Sequence, residues 1–365
     1  MTLYLHIGRG KSGSSTIQSL ATTHVDYMER AGFSCPLSVK GLPNHGRLAA
    51  ALNAIDSDRA TIRKFRKDLA QAASRNVFVS AEALHSLKRD GIARLRRFTR
   101  DLDVQILFYV RDYPSWIPSM YAQPTKHGRN LQDIDSFVRG GRRNLSVVAR
   151  LDRWAEAFGW EAMRIRPLDA SILVGGTLIA DLLHALGVAE PPPEVARENE
   201  SPHWMTLEIV RALAIAATTS AIGSVGPRSL KGIVRLCEAC MDPATPRRTP
   251  YLTRAQWLDA AELYRRDMEA LGQRVGMMFP VALPEPPERE FLPDFDAVPR
   301  DVCATVLDRL DDPRFSSPID PAASILLRDL LSTKSPRQAP TRKRGLLALG
   351  LSMLSRAGVA RKRTF

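Results

Sequence analysis

TLYLHIGRGKSGSSTIQSL, residues 2–20, is the stretch whose reading decides the fold. Leu3, Tyr4, Leu5 and Ile7 are the apolar, aromatic and β-branched residues that a buried strand of a parallel sheet requires. Gly8, Gly10 and Gly13 then break the run, while Ser12, Ser14, Ser15 and Thr16 supply small hydroxyls and unhindered backbone N–H groups. From about Ser15, Ile17 and Leu20 recur at helical spacing, so the first N–H groups of a helix point back at the loop, and the helix dipole with them. Lys11 adds a full positive charge. Strand, loop and helix in this order make either an anion-binding loop or a plain turn. The Walker A pattern G-x-x-x-x-G-K-[ST] fails on spacing, because a match ending at Ser12 needs glycine where Leu5 stands.

Two later segments reach the same sheet edge. Asn76-Val77-Phe78-Val79-Ser80 reads as a short strand, which puts Glu82 just past a strand's C-terminal end and His85 shortly after it. In open α/β sheets that edge is where ligands bind. Glu82 is either a carboxylate available as a base or a helix N-terminal carboxylate that stabilises the dipole. Within residues 103–121, DVQILFYVRDYPSWIPSMY, Val104, Ile106, Leu107, Phe108, Tyr109 and Val110 form a nearly continuous apolar strand that ends abruptly on Arg111 and Asp112. Pro114 suits the first turn of a following helix, on which Ser119 lies. Arg111 offers a planar fork to a phosphate, or pairs with Asp112 at the strand end.

These residues carry a resemblance. HIGRGKSGSSTIQ is similar to the 5′-phosphosulfate-binding loop of sulfotransferases that use 3′-phosphoadenosine-5′-phosphosulfate (PAPS), whose usual text is close to PK[ST]G[ST][ST] after a strand. Lys11, Ser12, Gly13, Ser14 and Ser15 match position by position, and Gly10 stands where the family usually has proline. Arg111, Ser119 and Tyr121 resemble a second signature, R-x-x-x-x-x-x-x-S-x-Y, which holds the 3′-phosphate in that family. The likeness looks closest to bacterial carbohydrate-type members and runs over about residues 1–275, with Asn199-Glu200-Ser201 inside it.

The resemblance implies an α/β fold in three layers. A mainly parallel central sheet flanked by helices would follow the P-loop-NTPase-like sulfotransferase plan, with a largely helical C-terminal region. It implies PAPS as sulfuryl donor, no metal, and contacts to the donor from Lys11, Ser12, Gly13, Ser14, Ser15, Thr16, Arg111 and Ser119. The reaction implied is transfer of a sulfuryl group to a hydroxyl or amine, with a glycan or glycolipid as acceptor. Lys11 is then a catalytic cation. Glu82 stands where carbohydrate members carry a glutamate base, and His85 is the rival, since small-molecule members use histidine there. His45, near Arg47, is a candidate substrate contact. One motif of the small-molecule members, a Gly-rich basic stretch near R-K-G-x-x-G, is missing; residues 226–232, GPRSLKG, are a substitute loop or a linker between helices. The alternative function is a phosphate-loop kinase or a non-catalytic nucleotide-binding protein.

Composition sets the outer bounds. A chain of 365 residues with 44% apolar residues is globular, and its net charge of +13 attracts an acidic partner. No zinc, RRM or KH pattern is present, so no nucleic acid is expected. Four cysteines fit a reducing compartment, and Cys237-x-x-Cys240 is as readily one buried helix face as a metal pair. The chain opens directly on a strand, without a signal region, and no run approaches the roughly 18 apolar residues of a spanning helix. A cytoplasmic location follows as the expectation, with a peripheral membrane contact as an option. Residues 1–280 are expected to form the sulfotransferase domain, and 281–334 a surface arm with helices. Residues 335–365 have basic flanks around an apolar stretch, so they either lie on an anionic membrane, pack as a helix, or stay disordered.

Overall fold

The computed structural model describes residues 1–36, 46–54, 59–72, 75–141, 145–195, 201–244, 251–288 and 293–334. The chain begins with β1 (Thr2–His6), α1 (Ser14–Thr23), α2 (Val25–Arg30), β2 (Phe33–Ser34), α3 (Gly46–Asn53) and α4 (Arg59–Gln71). It continues with β3 (Asn76–Ser80), α5 (Arg89–Phe98), β4 (Asp103–Val110), α6 (Tyr113–Thr125), α7 (Ile134–Gly141), α8 (Val148–Phe158), β5 (Met163–Pro167) and α9 (Leu178–Ala185). Among the described residues six further helices follow: α10 (Trp204–Thr219), α11 (Pro227–Cys240), α12 (Arg254–Val275), α13 (Arg300–Arg309), α14 (Pro313–Ser316) and α15 (Pro321–Ser332). Among the described residues no helix is long and apolar enough to cross a membrane.

Contacts divide the chain into two compact units. The first, residues 1–120, 135–200 and 252–291, holds the sheet. Its five strands lie in the order β2-β3-β1-β4-β5, every pair parallel, with helices flanking the sheet. This is the α/β architecture the sequence predicts. β1 is central because Leu3, Leu5 and His6 are fully buried, as a strand covered on both faces must be. His6 pairs with Ser80 of β3 and with Leu107 of β4, so all three strands run out at one edge. Pairing continues past β1 through Ile7 N–H to the Leu107 carbonyl at 3.0 Å and Ala81 N–H to the His6 carbonyl at 3.1 Å.

Helix α1 is fixed by its apolar stripe. Ile17 and Leu20 have no exposed surface and pack with Phe78, Tyr109 and Leu182, each burial stabilising by about 1.5–3 kcal/mol. That contact sets where the helix begins, and so where the loop before it sits.

Between β2 and β3 the chain forms two helices, α3 and α4, with 55–58 outside the described residues. Strand β5 starts at Met163, because Trp160–Ala162 forms a 3₁₀ turn after Gly159, whose φ is +86°. Residues 227–232 are the opening of α11, with Pro227 in its first turn.

The second unit comprises 121–134, 201–251 and 292–365, and its described elements are helical. Its buried polar centre is Glu208, which accepts from Tyr121 Oη at 2.9 Å and from Arg211 Nε at 2.7 Å. Cys237 faces the interior of α11, fully buried, and burial pushes its thiol well above the usual range.

In the first unit Asp181 is a tie between elements. It accepts from Tyr109 Oη at 2.8 Å, Arg166 Nη2 at 2.6 Å and the Val174 N–H at 2.9 Å. Burial alone would raise its carboxyl, but those hydrogen bonds, Arg166 foremost, hold it below the usual value. Asp181→Ala strands Arg166 and Tyr109, so urea unfolding is expected to show a loss of about 3–5 kcal/mol; a loss below 1 kcal/mol would show the tie to be incidental.

Candidate active site at the sheet edge

The site is built on the three neighbouring strand ends. After β1 the chain passes through Gly8 to Gly13 and enters α1, with Gly13 in the left-handed region at φ +76°. Lys11 is the one non-glycine residue among those described with a positive φ, +66°. A side chain held there costs about 1–2 kcal/mol, strain of the kind that clusters at functional sites. The Arg9 carbonyl knots the loop, accepting from Ser12 N–H and from Ser14 Oγ, both at 3.2 Å. Gly8 permits the close approach, since a Cβ there would lie 2.5 Å from Ser14 Oγ and 2.6 Å from His6 Cε1.

Arg111, the first residue past β4, crosses to this loop and donates from Nη1 to the Lys11 carbonyl at 3.0 Å. Trp116 Nε1, one turn into α6, donates to the Gly10 carbonyl at 2.9 Å. Asp112 caps that helix by accepting from Ser115 N–H at 2.7 Å.

Beneath the loop lies Arg9, only 3% exposed, its guanidinium 3.4 Å from the Trp116 ring centroid and 5.5 Å from that of Tyr113. A desolvated cation on an indole face gains about 2 kcal/mol, which offsets part of its burial. Tyr113 in turn donates to Asp267, whose Oδ2 also accepts the Val147 N–H at 3.0 Å and whose Oδ1 accepts from Ser146 Oγ at 3.0 Å. Burial first, then Arg150, draws Arg9 down to about 10, so it keeps its charge at neutral pH.

Glu82 begins the short 3₁₀ turn Glu82–Ser86 after β3. A Cβ on Gly10 would meet its Oε2 at 3.5 Å, which places the carboxylate against the loop. Burial raises its pKa, while Lys11 and a hydrogen bond from Ser14 pull the other way and do not cancel it. Ser14 has one proton for two acceptors, the Arg9 carbonyl and Glu82. His85 is differently placed. Its Nδ1 lies 2.7 Å from the Glu82 carbonyl and its Nε2 3.2 Å from Arg150 Nη1, a pattern met by a neutral ring with the proton on Nδ1. Burial, then Arg150, Arg9 and Arg153, bring it down to about 4 despite the Glu82 carbonyl.

Lys11, Ser12, Gly13, Ser14, Glu82 and Arg111 therefore come together. Ser15 is exposed and Thr16 half-buried in the first turn of α1. Ser119 donates to the Ser115 carbonyl at 3.2 Å within α6 rather than to the loop. His45, residues 196–200 and the tail from 335 lie outside the described residues. Arg9, Trp116, Tyr113, Arg150 and Asp267 were not singled out from sequence. An aromatic pair three apart after the strand, Tyr113 and Trp116, was the available signal for Arg9; Asp267 had none.

The loop fits an anion. Ser12 Oγ is fully buried and has no hydrogen-bond partner among the described residues, a costly state in the middle of a donor-rich loop. Arg9, Lys11, Arg111 and Arg150 gather around three carboxylates, Glu82, Asp112 and Asp267, so cations outnumber these anions. Among the described residues no group of three or more His, Cys, Asp or Glu side chains is placed to hold a metal ion.

No family model matches the chain. It is 27% identical over 138 residues to an uncharacterized protein of Archaeoglobus fulgidus, a match that spans 37% of this chain and 37% of that relative. Among solved structures it is similar to a sulfotransferase from Alicyclobacillus acidocaldarius, at TM-score 0.37 and 16% identity, over 60% of this chain and 95% of that one.

The strain at Lys11 is measurable without any ligand. Lys11→Gly and Lys11→Ala remove the same ammonium, so their difference isolates the backbone. Urea unfolding is expected to find the glycine variant more stable by about 1 kcal/mol; an alanine variant of equal or greater stability would remove the strain.

Proposed function

We propose that this chain transfers a sulfuryl group from PAPS to a hydroxyl, or an amine, of a glycan or glycolipid acceptor. One observation supports the reading: the Arg111 guanidinium, from the end of β4, donates to the Lys11 carbonyl of the loop that follows β1, so the cationic residues of two strand ends share one edge. When bound, PAPS would supply the sulfuryl group and a nucleotide leaving group. Lys11, Ser12, Gly13, Ser14, Ser15 and Thr16 would hold its 5′ end, and Arg111 with Ser119 its 3′-phosphate.

The chain's own residues then divide the work. Lys11 and the first N–H groups of α1 stabilise negative charge growing at the loop, each preorganised donor contributing about 3–4 kcal/mol. Arg9, held on Trp116, adds fixed positive charge below the loop and anchors its shape. Glu82 takes the proton from the acceptor. Its raised pKa strengthens it as a base, and its contact with the loop sets it beside the reacting end. His85 is neutral, and its Nε2 already accepts from Arg150, so it fits the role of orienting the Glu82 turn better than that of base.

The test is transfer of label from radiolabelled PAPS to a mixture of glycans and glycolipids with chelator present. Labelled acceptor without magnesium is expected; phosphoryl transfer from ATP and magnesium, with no transfer from PAPS, would overturn the reading. With the acceptor so found, Glu82→Gln is expected to lower kcat by roughly 10²–10⁴. Glu82 works deprotonated, so wild-type kcat/KM falls as pH drops through its raised pKa, and the variant loses that acid limb. An unchanged rate or an unchanged limb in Glu82→Gln would remove Glu82 as the base.

A further inference from the structure

A groove of about 540 Å³ runs between α5 and α8 in the first unit, and it lies outside the loop site. Five arginines line it, Arg89, Arg96, Arg97, Arg100 and Arg153, against one carboxylate, Glu156. On α5 and just beyond it the arginines recur at helical spacing on one face, with Ala93 and buried Ile92 between them. Glu156 engages Arg89 at 2.8 Å and Arg100 reaches Asp101 at 3.3 Å. Arg97 and Arg153 have no carboxylate partner among the described residues. A solvated helix face ordinarily interleaves both signs; here like charges repel across a concave surface, and an anion relieves them.

The groove leads to the candidate site. Arg150 precedes Arg153 by one turn of α8 and sets Nη1 3.2 Å from His85 Nε2, while His85 Nδ1 is 2.7 Å from the Glu82 carbonyl. Arg153 also acts electrostatically on His85. A positive wall therefore continues from α5 to the turn that carries Glu82.

We propose that this groove docks the acceptor, and that the acceptor is an acidic glycan, a chain with repeating carboxylate or sulfate groups. The proposal rests on the sulfuryl-transfer reading. Guanidinium forks pair with carboxylates and sulfates through two parallel bonds, and α5, ten residues long, lays them out over about 15 Å. None of the lining residues is aromatic, and the nearby Phe158 ring lies under the Arg96 guanidinium, so the groove lacks the row of stacking platforms of a single-strand nucleic-acid binder. Two helical walls admit one extended chain, which a flat bilayer surface is not.

The experiment measures binding of the full chain to heparin, neutral dextran, a short single-stranded DNA and phosphatidylserine vesicles at about 0.15 M salt. Arg97→Glu/Arg153→Glu is compared with Arg265→Glu/Arg266→Glu, an equal charge change at two exposed positions of α12. Heparin is expected to bind and dextran not to bind. The groove variant should lose about tenfold or more in heparin affinity, the scale of two exposed ion pairs reversed in sign, and the α12 variant less than twofold. Equal losses in both variants would overturn the proposal. So would a groove-dependent loss for DNA or vesicles larger than that for heparin. Adenosine 3′,5′-bisphosphate binding separates the two failures. If the wild type binds the bisphosphate and the groove variant keeps its heparin affinity, the groove alone falls; if the bisphosphate does not bind the wild type, the acceptor role falls with the reaction.

Discussion

Three adjacent parallel strands that end together impose the geometry on which everything else in the first unit depends. Because β3, β1 and β4 are in register at Ser80, His6 and Leu107, the residues following them have no choice but to share an edge. One ends in Glu82, one in the loop around Lys11, one in Arg111. The hydrogen bond from Arg111 to the Lys11 carbonyl closes this arrangement across a separation of 100 residues. Strand pairing supplies the rigidity, since β1 and β4 are almost wholly buried and neither has room to slip.

Below the loop the molecule has invested polar groups where hydrophobic ones would be more stable. A buried guanidinium at Arg9 stands on Trp116, and Asp267 supports it through Tyr113. His6 is wholly buried, bonded through Nδ1 to Ser80 Oγ at 2.7 Å, and burial brings it down to about 3, so it is neutral at any working pH. With His85 also neutral, the local field is set by arginines and Lys11 rather than by imidazoles. Such permanent charge suits a ligand whose own charge does not vary, and the groups at this edge that burial shifts towards protonation are carboxyls, Glu82 and Asp112.

Much of this was legible in the sequence for a physical reason. Apolar runs marked β1, β3 and β4, and a position just past a strand's C-terminal end marked Glu82 and Arg111 as edge residues. The glycines at 8, 10 and 13 marked the end of the strand; that a side chain at Gly8 would come within 2.5 Å of its neighbours, and that Gly13 has a φ of +76°, needed the structure. What stayed hidden depends on contacts between distant residues. Arg9 reads as an ordinary loop arginine until Trp116 and Tyr113 fold over it. Asp267, 154 residues after Tyr113, gives no local hint of its role. The arginines of α5 look like a solvated face until α8 is set against them. The division into two units was equally silent, because each unit is gathered from three separate stretches of the chain.

The claim at the centre is that the two cationic strand ends recognise opposite ends of one adenosine nucleotide. Calorimetric titration of adenosine 3′,5′-bisphosphate and of adenosine 5′-monophosphate into wild type and Arg111→Ala, without metal, tests it most directly. The wild type should prefer the bisphosphate, and Arg111→Ala should lose about 1.5–3 kcal/mol of that preference while its affinity for the monophosphate stays the same. An equal preference in both proteins, or no binding of the bisphosphate at all, would contradict it.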